Sequence, residues 1–224
     1  LVLLIRPSPS IALGMMLVAS CPAGNISNFL VHLAGGNTAL SVSISSASTV
    51  LSVVLTPLVL RFWGALYGPT SAILRDVAVD PLEMFVTIFV LLGIPLTLGV
   101  MVARRWPRFA QRARLPLKRF SIAVFGAFLV AALAGNWTYF VTYVQLVVVA
   151  VALHNAMALA TGYWTAAALG LPERDRRAVS FEVGIENSGL GLILIFAFFD
   201  GLGGMAIVAA WWGIWHIVAG MSLA

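Results

Sequence analysis

The chain has 224 residues, of which 61% are hydrophobic and 9% are charged, and its formal net charge is +5. Soluble globular domains carry about 25% charged residues, so this composition excludes a soluble protein and indicates an integral membrane protein. Apolar stretches of about 20 residues recur, and the alternation typical of a membrane β-barrel is missing, so we expect the spans to be α-helices. Cys21 is the only cysteine, which excludes an intramolecular disulfide.

Seven spans are predicted in chain order. The first ten residues are typical of the end of a helix, and the chain stops within an apolar run, so we expect it to be a piece of a longer protein. Residues 63–83 combine Trp63, Tyr67 and Pro69 with charged side chains, which is typical of an interfacial connection rather than a domain. The predicted spans lie at about 10–33, 37–62, 84–103, 118–135, 137–165, 178–199 and 203–224.

Basic residues are concentrated in two predicted loops, 103–119 and 171–177, which hold 10 of the 13 Lys and Arg residues. Two spans separate the loops, so both lie on one side of the membrane, and the positive-inside rule predicts that this side is the cytoplasm. We therefore expect residues 63–83 to be external and the multi-pass chain to lie in a bacterial inner (plasma) membrane. No soluble module with interleaved aromatic residues accompanies the charges, so nucleic-acid binding is disfavoured.

Two of the predicted spans are interrupted by polar, helix-breaking sequences. The first contains CPAGNISN at 21–28, and the second contains EVGIENSG at 182–189. One such break alone is typical of a structural kink, because Pro and Gly are common in membrane helices. Unwound backbone at membrane depth survives only where it is buried in protein or lines a wet cavity, and half-helix ends there offer N–H groups to anions and carbonyl oxygens to cations. Two breaks together therefore favour a binding site.

Glu182 and Glu186 are the only carboxylates within the predicted spans, and no Lys or Arg lies in the interior of a span. A charge at mid-membrane costs about 2.5–3.5 kcal/mol or more, so it requires a partner, a cation or a proton. A bound cation is the simplest of these explanations for this pair.

Hydroxyl side chains recur at three- and four-residue spacing along 41–52, which places them on one face of a helix. For Thr49 and Ser52, close helix packing or bonds to the helix's own carbonyls are an equal alternative. Ser41 and Ser45 lie nearer the cytoplasm, and with a carboxylate they form the set of hard oxygen ligands that suits sodium.

These motifs resemble those of the bile acid:sodium symporter family. The matching stretches are CPAGNISN at 21–28, NTALSVSISSASTVLSVVLTPL at 37–58 and FEVGIENSGLG at 181–191. The resemblance implies an all-α polytopic membrane protein with a ten-helix fold of two inverted five-helix repeats and two crossed discontinuous helices, of which this chain covers about helices 4–10. It also implies core-domain helices at 1–62 and 136–224, panel-domain helices at 84–135 and an external interfacial connection at 63–83.

The resemblance further implies two sodium sites and an adjoining site for an organic anion. The family usually has Gln where this chain has Glu186, so a second carboxylate lies four residues from Glu182, and it either binds the second sodium or carries a proton. His216 could hydrogen-bond the anion or be a packed core histidine, and His32 and His154 are expected to be structural. The implied ligands are Ser27, Asn28, Ser41, Ser45 and Glu182 for sodium site 1, Glu182, Val183, Ile185 and Glu186 for sodium site 2, and Gly24, Asn25, Asn187 and His216 for the substrate.

The predicted function is sodium-coupled symport of organic anions such as bile acids or small carboxylates by alternating access, carried out by a monomer without an organic cofactor. A proton-coupled carrier of the same fold superfamily, such as an arsenite or small-carboxylate exporter, is the alternative that Glu186 keeps open. An intramembrane enzyme is disfavoured because no HExxH motif and no catalytic Asp pair occurs, and a channel is disfavoured because rings of charge and repeated filter sequences are missing.

Overall fold

The structure is a computed structural model that describes residues 1–24, 26–77 and 80–224, with the side chains of Leu129 and Tyr139 left out. The described residues are almost entirely helical and form no β-strand beyond one isolated bridge, so the predicted all-α class is confirmed. A π-helical turn, Phe89–Gly93, joins α6 to α7. The helices are α1 (Val2–Ile5), α2 (Pro9–Ser20), α3 (Ser27–Leu33), α4 (Thr38–Leu66), α5 (Gly68–Asp76), α6 (Pro81–Ile88), α7 (Ile94–Arg105), α8 (Pro107–Gly135), α9 (Trp137–Ala168), α10 (Glu173–Gly184), α11 (Ser188–Phe198) and α12 (Gly203–Leu223).

Five segments in the described ranges are long and apolar enough to cross a membrane: Thr38–Leu66, Pro81–Arg105, Pro107–Gly135, Phe140–Ala168 and Gly203–Leu223. The other two predicted spans are each divided into two shorter helices, α2 with α3 and α10 with α11. The interruptions are therefore confirmed, with one difference. Gly184 still ends α10 and Gly189 lies inside α11, so the second break comprises only 185–187.

Two predicted connections contain more helix than the sequence suggested. Residues 63–83 include α5, which begins after Tyr67 and has Pro69 in its first turn, where a missing N–H costs nothing. The basic stretch 103–119 was expected to be a loop, but only Trp106 separates the helical ends of α7 and α8. The density of charge predicts that this stretch lies outside the bilayer, but it does not decide whether the stretch is helical.

The centre of the bundle is formed by α2, α11 and α12, which supply most of the fully buried apolar side chains. Gly14 lets α2 approach α12 closely, because a Cβ at this position would lie 2.8 Å from the Cα of Met205. By contrast, the membrane-crossing stretches of α6–α8 contain few buried side chains among the described residues. The first half of the interrupted helix, α2, is thus held in the interior of the bundle.

Helix α10 packs against α9 with almost no space between the backbones. A Cβ added to Gly162 would lie 2.8 Å from the carbonyl oxygen of Val179, and one added to Gly184 would lie 2.4 Å from Leu159 Cγ. Small residues at such contacts let membrane helices approach closely. The half-helix that carries Glu182 is therefore fixed in position by its neighbour.

Candidate cation and anion site

The two helix breaks contact each other through their backbones. The Gly24 N–H donates to the Ile185 carbonyl at 2.6 Å, and the Asn187 N–H donates to the Pro22 carbonyl at 2.8 Å, so Ala23 and Glu186 face each other in an antiparallel bridge. Pro22 has no N–H and cannot continue α2, but its carbonyl still accepts a hydrogen bond. The bridge satisfies backbone groups that unwinding would otherwise leave unpaired inside the membrane.

Glu182 lies on α10 just before the second break and is only 5% exposed. Its Oε1 accepts hydrogen bonds from the hydroxyls of Ser27 at 2.6 Å and Ser41 at 2.5 Å, and its Oε2 accepts one from Ser45 at 2.7 Å. Three hydroxyl donors from α3 and α4 therefore meet one buried carboxylate. Hydrogen bonds to an ionised group are the stronger kind, so this arrangement stabilises a negative charge within the bundle.

Asn28 completes the cluster around Glu182. The Ser41 hydroxyl also lies 2.8 Å from Asn28 Oδ1, so its single proton is shared between this oxygen and Glu182 Oε1, and Asn28 Nδ2 donates to Ser45 Oγ at 3.2 Å. All five side chains predicted for sodium site 1 are thus joined in one hydrogen-bonded group, the Glu182 cluster, which consists of Ser27, Asn28, Ser41, Ser45 and Glu182.

The hydroxyl side chains of Ser48, Thr49 and Ser52 on α4 bond to carbonyls of their own helix and not to Glu182. Ser48 and Thr49 both donate to the Ser45 carbonyl, at 3.0 Å and 2.7 Å, and Ser52 donates to the Thr49 carbonyl at 2.8 Å. These hydroxyls satisfy their own helix, so for Thr49 and Ser52 the structure favours the local alternative.

The backbone at the second break bears on the predicted sodium site 2. Because the Asn187 N–H donates to Pro22, the Val183 carbonyl loses the donor that a continuous helix would provide. The Ile185 carbonyl already accepts from Gly24, which leaves one of its lone pairs free. The Glu186 carboxylate is half-buried, interacts electrostatically with Glu182 and Cys21, and has no hydrogen-bond partner in the ranges that the structure describes.

The residues predicted to bind substrate fall into several situations. The Gly24 N–H is occupied by the bridge, and a Cβ there would lie 3.0 Å from the Glu186 carbonyl oxygen, so Gly24 serves the contact between the breaks rather than offering a free donor. Asn25 lies outside the described residues. Asn187 caps α11, since its Oδ1 accepts from the Leu190 N–H at 3.0 Å, and its Nδ2 has no acceptor among the described residues. His216 is 5% exposed and its Nδ1 has no partner in the described part of the chain, so the anion contact and the packed core histidine both stay open as predictions.

The other two histidines differ from each other. His32 is exposed on α3. His154 packs edge-on against the Trp212 ring, with ring centroids 5.0 Å apart, and its Nδ1 is unpaired among the described atoms. Neither residue belongs to the Glu182 cluster.

Sequence reasoning missed three residues that support the breaks. Asn155, which is 1% exposed on α9, donates from Nδ2 to the Gly184 carbonyl at 2.7 Å. Thr56 on α4 donates to the Ser20 carbonyl at 2.6 Å, where α2 ends. Phe125 on α8 lies 3.6 Å from the position of a Cβ at Gly189. An Asn within an apolar helix was the only signal that could have identified the first of these.

A polar network ties together the turns that follow α3 and precede α10. The Asn37 N–H donates to the Arg174 carbonyl at 2.9 Å, and Asn37 Nδ2 donates to Asp175 Oδ1 at 2.8 Å. Arg177 donates to the Ala34 carbonyl at 2.7 Å and to Glu173 at 3.0 Å. The two half-helices that carry most of the Glu182 cluster are thus linked at their outer ends as well as at their breaks.

Comparisons with known proteins show the family to which the chain belongs. The model of the Sodium Bile acid symporter family matches residues 1–143. The uncharacterized sodium-dependent transporter YocS of Bacillus subtilis (strain 168) is 32% identical over 214 residues, which are 96% of this chain and 63% of that protein. The ileal sodium/bile acid cotransporter of Homo sapiens is 30% identical over 187 residues, 81% of this chain and 51% of its own length.

A plant relative gives the same result. The probable sodium/metabolite cotransporter BASS1, chloroplastic, of Oryza sativa subsp. japonica is 31% identical over 183 residues, 82% of this chain and 43% of the relative. The chain thus spans between 43% and 63% of the length of these three relatives. With its family match and its apolar helices, the chain is an integral membrane protein that belongs to the sodium bile acid symporter family, a family of transporters and not of enzymes.

Proposed function

We propose that the full-length protein is a sodium-coupled symporter of an organic anion and that the Glu182 cluster binds the driving sodium ion. The observation that carries this proposal is the convergence of three hydroxyls on a single buried carboxylate, with the Asn28 amide bonded to two of those hydroxyls. Because no Lys or Arg takes part in these hydrogen bonds, the charge of Glu182 is left for a cation to neutralise.

The chemistry of the cluster suits sodium better than a transition metal. All five side chains offer hard oxygen atoms, and hydroxyl and amide oxygens have lone pairs that coordinate a cation when their protons turn outward. One carboxylate balances one monovalent charge. None of the five side chains of the cluster contains sulfur, so the cluster offers no soft ligand.

A second cation is proposed beside the second break, on the other side of Glu182. The Val183 carbonyl, the free lone pair of Ile185 and the Glu186 carboxylate would be its ligands, as the family resemblance implies. The loss of the helical donor to Val183 supports this assignment, since a freed carbonyl within a membrane protein requires another partner.

The substrate is proposed to be an organic anion held near the crossing of the breaks by Asn187, whose Nδ2 is available as a donor, and by His216, with Asn25 as a further candidate. The names of the relatives, a bile acid cotransporter and a sodium/metabolite cotransporter, support an anionic organic substrate. Phe125 of α8 lies against Gly189 and Gly213, so it marks the contact that would change as helices 84–135 move relative to the bundle. The basic stretches 103–119 and 171–177 are placed in the cytoplasm by the positive-inside rule.

Uptake into proteoliposomes that contain the full-length protein tests the proposal. Candidate anions such as taurocholate and small carboxylates are offered with an inward sodium gradient or an inward proton gradient, imposed separately. We expect uptake to require sodium and to be lost in Glu182→Ala. Sodium-independent uptake that survives Glu182→Ala would contradict the proposal.

A proton-coupled carrier is the second candidate, and Glu186 is the observation that favours it. This carboxylate has no hydrogen-bond donor among the described residues and lies beside another acid, which suits a group that takes up and releases a proton. Uptake driven by a proton gradient without sodium, and abolished by Glu186→Gln, would support this candidate over sodium symport.

A further inference from the structure

Seven basic residues surround the corner between α7 and α8, where Trp106 is the only residue between the two helices. All seven side chains are exposed, and none forms a hydrogen bond or ion pair within the described part of the chain. The sequence contains no acidic residue between Glu83 and Glu173 that could balance them. This basic corner consists of Arg104, Arg105, Arg108, Arg112, Arg114, Lys118 and Arg119.

The second basic stretch, before and within the start of α10, is different. Arg174 donates to the Gly35 carbonyl at 3.4 Å, Arg176 to the Leu171 carbonyl at 2.6 Å and Arg177 to the Ala34 carbonyl at 2.7 Å. Those cations therefore have structural uses inside the molecule. The basic corner holds more charge in one place and has no such use, so the repulsion among its side chains favours the binding of anions from outside the protein.

The length of α8 places its basic part at the membrane surface. The helix has 29 residues and is therefore about 44 Å long, whereas the hydrocarbon core is about 30 Å thick. Residues 120–135 are uncharged, so the surplus of about three turns lies at the Arg-rich end. The first turns of α8 are thus at the depth of the lipid headgroups.

The same turns are amphipathic. At about 100° per residue, Arg108, Arg112 and Arg119 share one face, while Phe109 and Phe120 lie on an adjacent face about a quarter to a third of a turn away. Phe109 is 62% exposed and Phe120 is 66% exposed, so both rings are free to enter the acyl chains while the guanidinium groups remain at the surface. Arg105 adds a cation–π contact, with its guanidinium 6.0 Å from the centre of the Trp106 ring.

We propose that the basic corner is a binding surface for the headgroups of anionic phospholipids. Juxtamembrane clusters of four to eight Lys and Arg residues are the pattern expected for such binding, at about 1 kcal/mol per basic residue. Phosphate oxygens accept hydrogen bonds from guanidinium groups in a paired geometry, which favours the Arg-rich composition of this corner.

Purified full-length protein in mixed micelles provides the test, with phosphatidylglycerol as the anionic probe and phosphatidylcholine as the neutral lipid. Bound phosphatidylglycerol is measured by native mass spectrometry at increasing mole fraction. We expect Arg108→Gln with Arg112→Gln to lower the apparent affinity about fivefold for each charge removed. Arg108→Lys with Arg112→Lys should keep most of the binding.

A matched control removes two charges elsewhere. Arg61 and Arg75 are exposed at the other end of α4 and on α5, so Arg61→Gln with Arg75→Gln changes the net charge equally and should leave phosphatidylglycerol binding unchanged. Equal losses in both double variants would overturn the proposal, because net charge alone would then explain the binding. Displacement of the lipid by millimolar inorganic phosphate, or retained binding in the Arg108 and Arg112 Gln variant, would overturn it as well.

Discussion

Glu182 and Glu186 are one helical turn apart in sequence, yet they differ in burial and in hydrogen bonding. Glu182 is buried under three hydroxyl donors, whereas Glu186 is half-buried and accepts no hydrogen bond from any described residue. The cause is the end of α10 between them. Glu182 is still on a helix that faces α3 and α4, while Glu186 is in the break, where the bridge to Ala23 sets its direction. Glu182 is therefore stabilised by fixed hydrogen-bond donors, whereas the carboxylate of Glu186 can bind an exchangeable ligand such as a cation or a proton.

The largest expected effect comes from removing the charge of Glu182. Glu182→Gln takes away the only negative charge of the cluster and mismatches three hydroxyl donors, so we expect the sodium affinity to fall about 100-fold. Sodium-dependent uptake and sodium titration of purified protein measure this change. Glu83→Gln alters an exposed carboxylate on α6 and should behave like the parent protein. If Glu182→Gln folds and its sodium affinity is unchanged, the proposal that the Glu182 cluster binds sodium is wrong.

The next effect concerns the donors around Glu182. Ser41→Ala deletes a hydroxyl that bonds both Glu182 and Asn28, and we expect the sodium affinity to fall about tenfold, as for a hydrogen bond to a charged group. Ser43→Ala on the same helix is the matched control, because that exposed hydroxyl bonds only to the Ala39 carbonyl. Sodium titrations of the two variants should therefore separate clearly. Equal behaviour would mean that the cluster is structural.

Asn155 tests how the break is supported. In Asn155→Leu the Gly184 carbonyl loses its buried donor, so we expect a loss of about 1–3 kcal/mol in stability and a severalfold loss of sodium affinity. Thermal unfolding and sodium titration report the two effects separately. Gln145→Leu changes an exposed residue of the same helix and serves as the control. A stability loss without any change in sodium affinity would limit Asn155 to a packing role.

Glu186→Gln should have a smaller effect on sodium affinity, within about threefold, because the donors of Glu182 remain in place and the amide oxygen of Gln can still ligate the proposed second cation. The main effect of Glu186→Gln should be on the coupling of uptake to a proton gradient. We expect the variant to retain sodium-driven uptake and to lose any dependence of uptake on an imposed proton gradient. A variant that loses sodium dependence along with Glu182→Gln would show that the two carboxylates act as one site.

Glu173 is a third carboxylate and lies on the aqueous side, and the smallest of the expected effects concerns this residue. The Tyr163 hydroxyl, which donates to Glu173 at 2.8 Å, and the Arg177 guanidinium both lower the pKa of Glu173. A folded pKa below the unfolded value of 4.5 gives stability that is present above pH 4.5 and is lost as the pH falls through the folded pKa. Because Glu173 is exposed to solvent, we expect the melting temperature of Tyr163→Phe to lie only slightly below that of the parent at pH 7.

That difference should shrink as the pH is lowered below 4.5, which thermal unfolding at several pH values can detect. Tyr67→Phe is the control, since the Tyr67 hydroxyl has no hydrogen bond in the ranges that the structure describes. A difference that grows on acidification would contradict the assigned direction of the Glu173 pKa.

The features of the site that depend only on helical spacing or on a helix-breaking residue could be predicted from the sequence. Ser41 and Ser45 are four residues apart on one helix, so their hydroxyls had to share a face, and Pro22 had to interrupt its helix because it has no N–H. Their meeting with Glu182 was implied by family resemblance and not by any local pattern. The sodium role of the cluster remains a prediction.

Other features depend on partners that are distant in the chain. Asn155 bonds a carbonyl 29 residues away, and nothing in its own helix indicates which carbonyl that is. The Gly24 N–H was expected to face an anion, but the opposite break provides a nearer acceptor. The basic stretch 103–119 was interpreted from charge alone, and charge locates a segment relative to the membrane without deciding whether it is helical.

The bridge between Ala23 and Glu186 is formed entirely by backbone atoms of Pro22, Gly24, Ile185 and Asn187. Its strength therefore does not depend on which side chain occupies position 186. A single codon change at this position can exchange an amide for a carboxylate while the crossing keeps its shape. Under the role that we propose for Glu186, the architecture thus separates the choice of coupling ion from the integrity of the fold.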